Sequence, residues 1–358
     1  MKWFGDARRA YNAAIEHLRQ PDTKASWKTI KGGILQALPA WAKKTPYQIK
    51  SVAIRDACQA VSNAKLKYKE TGEFQEVGFR SRKDPKQSCF LPALAVSKKG
   101  VYYTLSGNLK WSEPPPDDCG DCRLVKNGNC WYVCLSVQEK RQVSDIQGTV
   151  VALDPGIRTF MTFYTESGCG KLGKHDFGRL QRLCSFLDGL ISKTKKEKQT
   201  FRKLKLNVAC RRMWTRIRNL VDELHHKVAV FLVKNFDVIL LPTFETQEMS
   251  LRAKRRLTRK SVRSLLTFAH YRFKQFLKQK AFEYGKLVFD VNEAYTSKTV
   301  SWTGEIVNNL GGAKSIRSKN TGEVMDRDYN GARGIFLRAL GDDPFLRRNL
   351  QECSGANL

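Results

Sequence analysis

The segment Gly148 to Phe160, GTVVALDPGIRTF, constrains this chain more than any other stretch. Four apolar residues, Val150 to Leu153, run straight into Asp154-Pro155-Gly156, which is tight-turn chemistry. The pattern predicts a short strand, buried on both faces, whose last residue presents a carboxylate. Met161 to Thr165 then predicts a second strand pairing back as a hairpin. An Asp at the end of a central strand is well placed to hold a divalent metal, because rigid backbone fixes its oxygens. Asp-Pro-Gly is equally ordinary as a turn, so Asp154 alone leaves both readings open. Its partners have to come from elsewhere in the chain.

Charge narrows the class of partner. The 358 residues carry 64 Lys and Arg against 34 Asp and Glu, a formal charge of +30. Self-repulsion on that scale favours a polyanionic partner, and nucleic acid fits better than membrane. No run approaches the roughly 18 apolar residues of a spanning helix, and MKWFGDARRA lacks the apolar core of a signal peptide. At 41% hydrophobic the chain can build proper cores, and its length suggests two or three domains. Ten scattered cysteines without a secretory signal read as reduced thiols of the cytosol or nucleus.

Residues 1–71 read as a helical lobe, with one stripe at Trp3, Ala7, Ala10, Tyr11, Ala14 and Leu18 and another at Ile49, Val52, Ala53, Cys58, Val61 and Ala64. Residues 72–146 read as β-rich. VYYTLSGNLKW predicts a strand, and CRLVKNGNCWYVCLSV a hairpin around Asn127-Gly128. Cys119, Cys122, Cys130 and Cys134 have a spacing open to zinc. However, Cys130, Tyr132 and Cys134 alternate on one strand face, and small apolar filler beneath a sheet is the preferred reading. Phe177 to Phe236 predicts two long helices, with Ile217, Val221, Leu224, Val228 and Phe231 as the buried stripe of the second. Within 181–220, twelve Lys or Arg face only Asp188 and Glu197. Lys193, Lys195, Lys196, Arg202 and Lys203 are therefore candidate nucleic-acid contacts. Asp237 to Leu241 is a further strand, ending in Pro242-Thr-Phe-Glu245. The run Arg252, Lys254, Arg255, Arg256, Arg259, Lys260 and Arg263 is a phosphate-contacting loop, a nuclear-import signal, or both. Phe268 to Tyr284 predicts a helix, Lys286 to Asp290 a strand, and TSKTVSWTGE an irregular insert. A helix then starts near Asp326 and Asp328, with Ala332, Ile335, Phe336 and Ala339 as its buried face.

Strand–Asp, strand–Glu and acid-capped helix, in that order, is the logic of a ribonuclease H-like nuclease. Such enzymes clamp two divalent ions about 3.5–4 Å apart between carboxylates. Hard oxygen donors suit Mg²⁺. At these residues the chain resembles the TnpB/Fanzor group of transposon-associated RNA-guided nucleases. The resemblance rests on KWFGDARRAYN, FRSRKDPKQSCFLP, VVALDPGIRTFMTFY, ILLPTFETQEM, YTSKT and DRDYNGARGIFLRAL, six motifs in order over nearly the whole chain. The wording of NGARGIFLRAL and ALDPGIRTFMTFY looks more like the eukaryotic and viral Fanzor branch than the bacterial one.

The resemblance implies an α+β multidomain chain: a helical recognition lobe (1–71), a β-rich wedge (72–146), a RuvC-like nuclease domain (147–296 and 323–345) and a tail (346–358). Residues 297–322 would be a target-nucleic-acid-binding insert. It implies Asp154, Glu245 and Asp328 as catalytic and metal-binding residues with two Mg²⁺ ions. Asp328 is preferred to Asp326 because the family's acid stands two residues before the Asn, here Asn330. The implied partners are a guide RNA and target DNA, with one protein chain per ribonucleoprotein, nuclear if Fanzor-like and otherwise cytoplasmic. Two departures stand out. Where the family has zinc-ribbon cysteines, this chain has Val300, Thr303, Ser318 and Thr321, so zinc is not expected and the insert is either held without metal or loose. The chain also opens at KWFG, which leaves the β-rich domain one strand short of expectation. A guide-dependent DNA-binding protein that no longer cuts, and a transposase-like accessory protein, are the competing readings.

Overall fold

The computed structural model of the chain describes residues 2–21, 23–107, 110–128, 130–140, 142, 148–174, 176–243, 259–292, 294–308, 310 and 313–342. The chain divides into two compact units, residues 1–139 and 140–358.

In the first unit, helices α1 (Trp3–Leu18), α2 (Trp27–Ala37), α3 (Ala40–Lys43) and α4 (Tyr47–Thr71) share one core with strands of a small sheet. Ala7, Ala10, Tyr11 and Ala14 of α1 are buried, as are Ile49, Val52, Ala53 and Cys58 of α4. That is the face their spacing predicts. Strand β1 (Lys86–Leu91) is followed by the two-residue strands β2 (Val96–Ser97) and β3 (Gly100–Val101). The strand expected in VYYTLSGNLKW is instead a short helical turn, α5 (Tyr103–Ser106). Tyr102 takes a left-handed conformation, and the Ser106 hydroxyl donates to the Val101 carbonyl at 2.6 Å, closing the chain on itself. The expected hairpin forms as β4 (Cys122–Asn127) and β5 (Cys130–Cys134), with Gly128 left-handed in the turn and β4 central in the order β1-β4-β5. Across it, Asp56 of α4 takes both terminal nitrogens of Arg123, at 2.7 and 3.0 Å.

The cysteine face of β5 differs from expectation. Leu124 and Val133, directly paired, point into the core, so Tyr132 and Cys134 point away and are exposed. Strand parity puts these side chains outside rather than beneath the sheet. Cys130 pairs with Asn127, at the opposite end of the hairpin from Cys122, so the four cysteines do not converge.

The second unit is built on a five-stranded sheet. Strand β6 (Val150–Pro155) pairs antiparallel with β7 (Met161–Thr165), and β7 with β8 (Gly168–Leu172). Helices α6 (Asp176–Lys196) and α7 (Thr200–Asn235) follow, then β9 (Val238–Pro242), α8 (Arg259–Phe268), α9 (His270–Glu283) and β10 (Leu287–Val291). The helix expected from Phe268 to Tyr284 begins after a break at Ala269, which is left-handed. The insert carries a small hairpin, β11 (Ser315–Arg317) and β12 (Val324–Asp326), and α10 (Arg327–Asp342) ends the described chain. The sheet order is β10-β9-β6-β7-β8, with β6, β9 and β10 parallel.

Alternation along the central strands sorts the two faces. Val151, Leu153, Ile239 and Leu241 meet the large core formed with α6, α7, α8 and α9. Ala152, Val238 and Leu240 meet Ile335, Phe336 and Ala339 of α10 on the other face. This double coverage explains why β6 and β9 read as unbroken apolar runs. The starts of β6 and β9 are pinned together by Asp237, whose carboxylate accepts the Thr149 hydroxyl at 2.8 Å and the Lys286 ammonium at 2.6 Å.

Candidate metal centre and nucleic-acid surface

Asp154 has the parity of Ala152, so its carboxylate projects from β6 toward α10. The contact is close: a Cβ added at Gly331 would stand 2.6 Å from Asp154 Oδ2. Only the missing side chain of Gly331 lets α10 approach the carboxylate. Asp328 lies three residues earlier, four before the buried Ala332, and so on the sheet-facing side of the first turn of α10. Two of the three expected acids are thus brought to one end of one helix. Glu245 follows the end of β9 by three residues and lies outside the described residues. The carboxyl ends of parallel strands β6, β9 and β10 open on the same edge, the usual ligand edge of such a sheet.

The two aspartates near the start of α10 have different surroundings. Asp326 Oδ1 accepts the backbone N–H of Asp328 at 2.9 Å, capping the helix. It also takes the Lys171 ammonium on both oxygens, at 2.9 and 2.7 Å. Burial pushes the Asp326 carboxyl up, but the bonds from Lys171 and the Asp328 and Tyr329 amides outweigh it and hold the group below the usual carboxylate range. Asp328 is more open, its side chain 46% exposed, with one contact to Lys171 at 3.2 Å. Sequence reasoning missed Lys171. It pairs across the sheet with Thr162, and Thr162 with Asp154, so these three residues form one row on the α10 side.

The turn after Asp154 is held from beneath. His270, at the start of α9, has Nε2 3.1 Å from the Gly156 carbonyl, and His225 of α7 has Nε2 2.8 Å from the Phe268 carbonyl. Both rings stack on the fully buried Phe160. Burial pushes both imidazoles down to about 4, so they are neutral packing groups at neutral pH.

The chemistry of the donors, two carboxylates with hard oxygens at a strand end and a helix start, fits Mg²⁺. Among the described residues no three metal-capable side chains gather, and the described part of the site supplies two.

The insert is held by a carboxylate. Two turns, around Val300–Gly304 and Ser318–Gly322, are joined by Glu305, which accepts the hydroxyls of Thr303 (2.8 Å) and Ser318 and the Asn320 amide (3.1 Å). Fully buried Asn330 ties this unit to α10, accepting the Ser301 amide at 2.8 Å and donating to the Thr299 carbonyl at 2.8 Å.

Lys193, Lys195, Lys196, Arg202 and Lys203 all lie exposed at the end of the α6–α7 hairpin, beside exposed Phe201. Arg263 is engaged within the unit, 2.9 Å from Asp188 of α6 and over the Trp214 ring of α7. Arg252, Lys254, Arg255 and Arg256 lie outside the described residues, and Arg259 and Lys260 are described only as backbone opening α8. No helix among the described residues is long and apolar enough to cross a membrane.

Residues 270–335, from α9 into α10, match the family model of a Cas12f1-like TNB domain. A Paramecium bursaria Chlorella virus 1 protein named as a transposase is 28% identical over 97% of this chain and 84% of its own. A TnpB-like protein of Acanthamoeba polyphaga mimivirus is 32% identical over 52% of this chain, which is only 37% of the viral protein. In fold, the chain is similar to Cas12f1 as seen by cryo-electron microscopy with sgRNA and target DNA. The TM-score is 0.52 at 13% identity, covering 93% of this chain and 81% of that one. The domain match and the viral relatives point the same way: the chain is similar to TnpB-like and transposase-named viral proteins, and in fold to Cas12f1.

Proposed function

We propose that the chain is an RNA-guided, Mg²⁺-dependent DNA endonuclease of a transposable element, with an RNase H-like nuclease domain. The observation that carries this reading is the approach of Asp154, at the end of central strand β6, to the first turn of α10, which bears Asp328. The strand order, with a β6–β7–β8 antiparallel meander and β9 and β10 parallel to β6, supports the RNase H-like assignment. Asp154, Asp328 and Glu245 would hold the metal, which when bound supplies charge stabilisation for phosphodiester hydrolysis. The chain's own residues do the rest of the positioning. Gly331 gives the carboxylate room, Asn330 holds the insert against the helix, and the exposed basic end of the α6–α7 hairpin faces a phosphate backbone.

The partners proposed are a guide RNA and target DNA, in line with the complex in which Cas12f1 was solved. Guide pairing would carry the sequence specificity, and the basic surface would grip the backbone. The test is a cleavage assay on target DNA, with and without the RNA that copurifies. Asp154→Ala, Glu245→Ala and Asp328→Ala should each abolish cutting and leave RNA binding intact, because a lost ligand weakens transition-state stabilisation and not the backbone grip. Full cutting by Asp328→Ala would move the third role to another acid. Guide-dependent binding without cutting by the unaltered protein would favour the DNA-binding reading, and strand joining would favour the transposase reading.

A further inference from the structure

The residue at the site with no role yet is Lys171. It sits on β8, the outermost strand beyond β7, and reaches the acids only because β6, β7 and β8 are in register as Asp154, Thr162 and Lys171. Its side chain is 15% exposed, low for a lysine, and its Nζ lies 2.7 Å from Asp326 and 3.2 Å from Asp328. The Tyr329 ring lies 4.9 Å away. Asp326 is already committed to capping α10. The contact with Asp328 is therefore the one that bears on the site, since Asp328 is the more open acid.

We infer that Lys171 is a built-in counter-ion that competes with a divalent cation for Asp328. This rests on the metal-centre reading above. Without metal, the ammonium offsets the repulsion of carboxylates crowded at the start of α10. With metal, the same fixed positive charge opposes the incoming cation, because two like charges a few ångströms apart in a half-buried site repel strongly. Lys171 is thus a positioning residue. It keeps the acids assembled without metal at the expense of metal affinity.

The test is Mn²⁺ binding by calorimetry on the full chain, with thermal unfolding measured with and without the ion. Lys171→Gln removes the charge and should tighten Mn²⁺ binding by about tenfold. It should also lower the metal-free unfolding midpoint, so that added Mn²⁺ raises the midpoint more steeply than in the parent. Lys171→Arg keeps the charge and should keep the parent affinity. Lys171→Thr, a neutral residue at home in a strand, gives the same reading if Lys171→Gln fails to fold. Parent-like or weaker Mn²⁺ binding by the neutral variants would overturn the inference and leave an ordinary structural ion pair. If the parent itself binds no divalent cation, or binds it equally with Asp154→Ala, the metal-centre reading fails instead.

Discussion

Single atoms decide two properties of this chain. A methyl group at Gly331 would stand 2.6 Å from Asp154 Oδ2, inside any real contact, and Asp154 is anchored in a sheet. Gly331→Ala should therefore displace the carboxylate while the helix survives, since Ala is the better helix former. A shift of this size in a reacting constellation costs roughly 100-fold in rate. Cleavage kinetics with near-parent circular dichroism is the expected result, and parent-level cutting would show that α10 can retreat at no cost. The second property is acid sensitivity. His225 and His270 have folded values near 4, below the ordinary value. Above about pH 6.5 neither state binds these protons, so stability is unaffected. As pH falls from there toward about 4 the unfolded chain takes up protons that the folded one refuses, and stability is lost, on the order of 3 kcal/mol per histidine. Urea denaturation from pH 7.5 to 4.5 should reveal this slope, and His270→Gln should flatten it. A flat profile in the parent would mean that water reaches both rings.

At the level of elements, a hairpin of helices and a clasped insert do separate work. The exposed cations at the end of α6–α7 have no structural duty that their exposure suggests. If Lys193, Lys195 and Lys196 meet phosphates, their joint change to Gln should flatten the slope of log affinity against log salt by roughly two to three units. An unchanged slope would reduce them to a solvated helix end. The insert depends on one carboxylate joining two turns, so Glu305→Ala should open it without unfolding the sheet behind it. Limited proteolysis should then cut within 300–322 faster than in the parent while the unfolding midpoint holds. The Ser318 hydroxyl and its neighbours hold the Glu305 carboxyl below the usual carboxylate range. The clasp therefore persists at neutral and mildly acid pH and loosens only as pH falls through that depressed value. Unchanged proteolysis of Glu305→Ala would transfer the duty to Asn330.

Over the whole molecule, the charge of +30 spans two units with separate cores. If the acids hold metal and the basic surface meets phosphate, as proposed, the two functions should separate in experiment. Asp154→Ala and Asp328→Ala should leave the salt slope of nucleic-acid binding where the parent has it, whatever they do to cutting.

What the sequence determined by itself was local. Apolar runs ending in Asp154 and Pro242, and the spacing of Ala332, Ile335, Phe336 and Ala339, follow from strand and helix periods that neighbours on the chain impose. These predicted the strands, the last helix and its buried face. What only the tertiary structure decided was pairing. Gly168–Leu172 has no alternation to mark it as a strand, and Gly170 is needed because the Phe163 ring leaves no room for a side chain there. Lys171 reaches Asp326 and Asp328 through the register of two hairpins, across 155 residues of chain in the case of Asp326. The outward turn of Tyr132 and Cys134, the Glu305 clasp and the division of labour between Asp326 and Asp328 have the same origin. Each depends on which strand or turn comes to lie beside which, and that is settled by long-range packing rather than by the residues on either side.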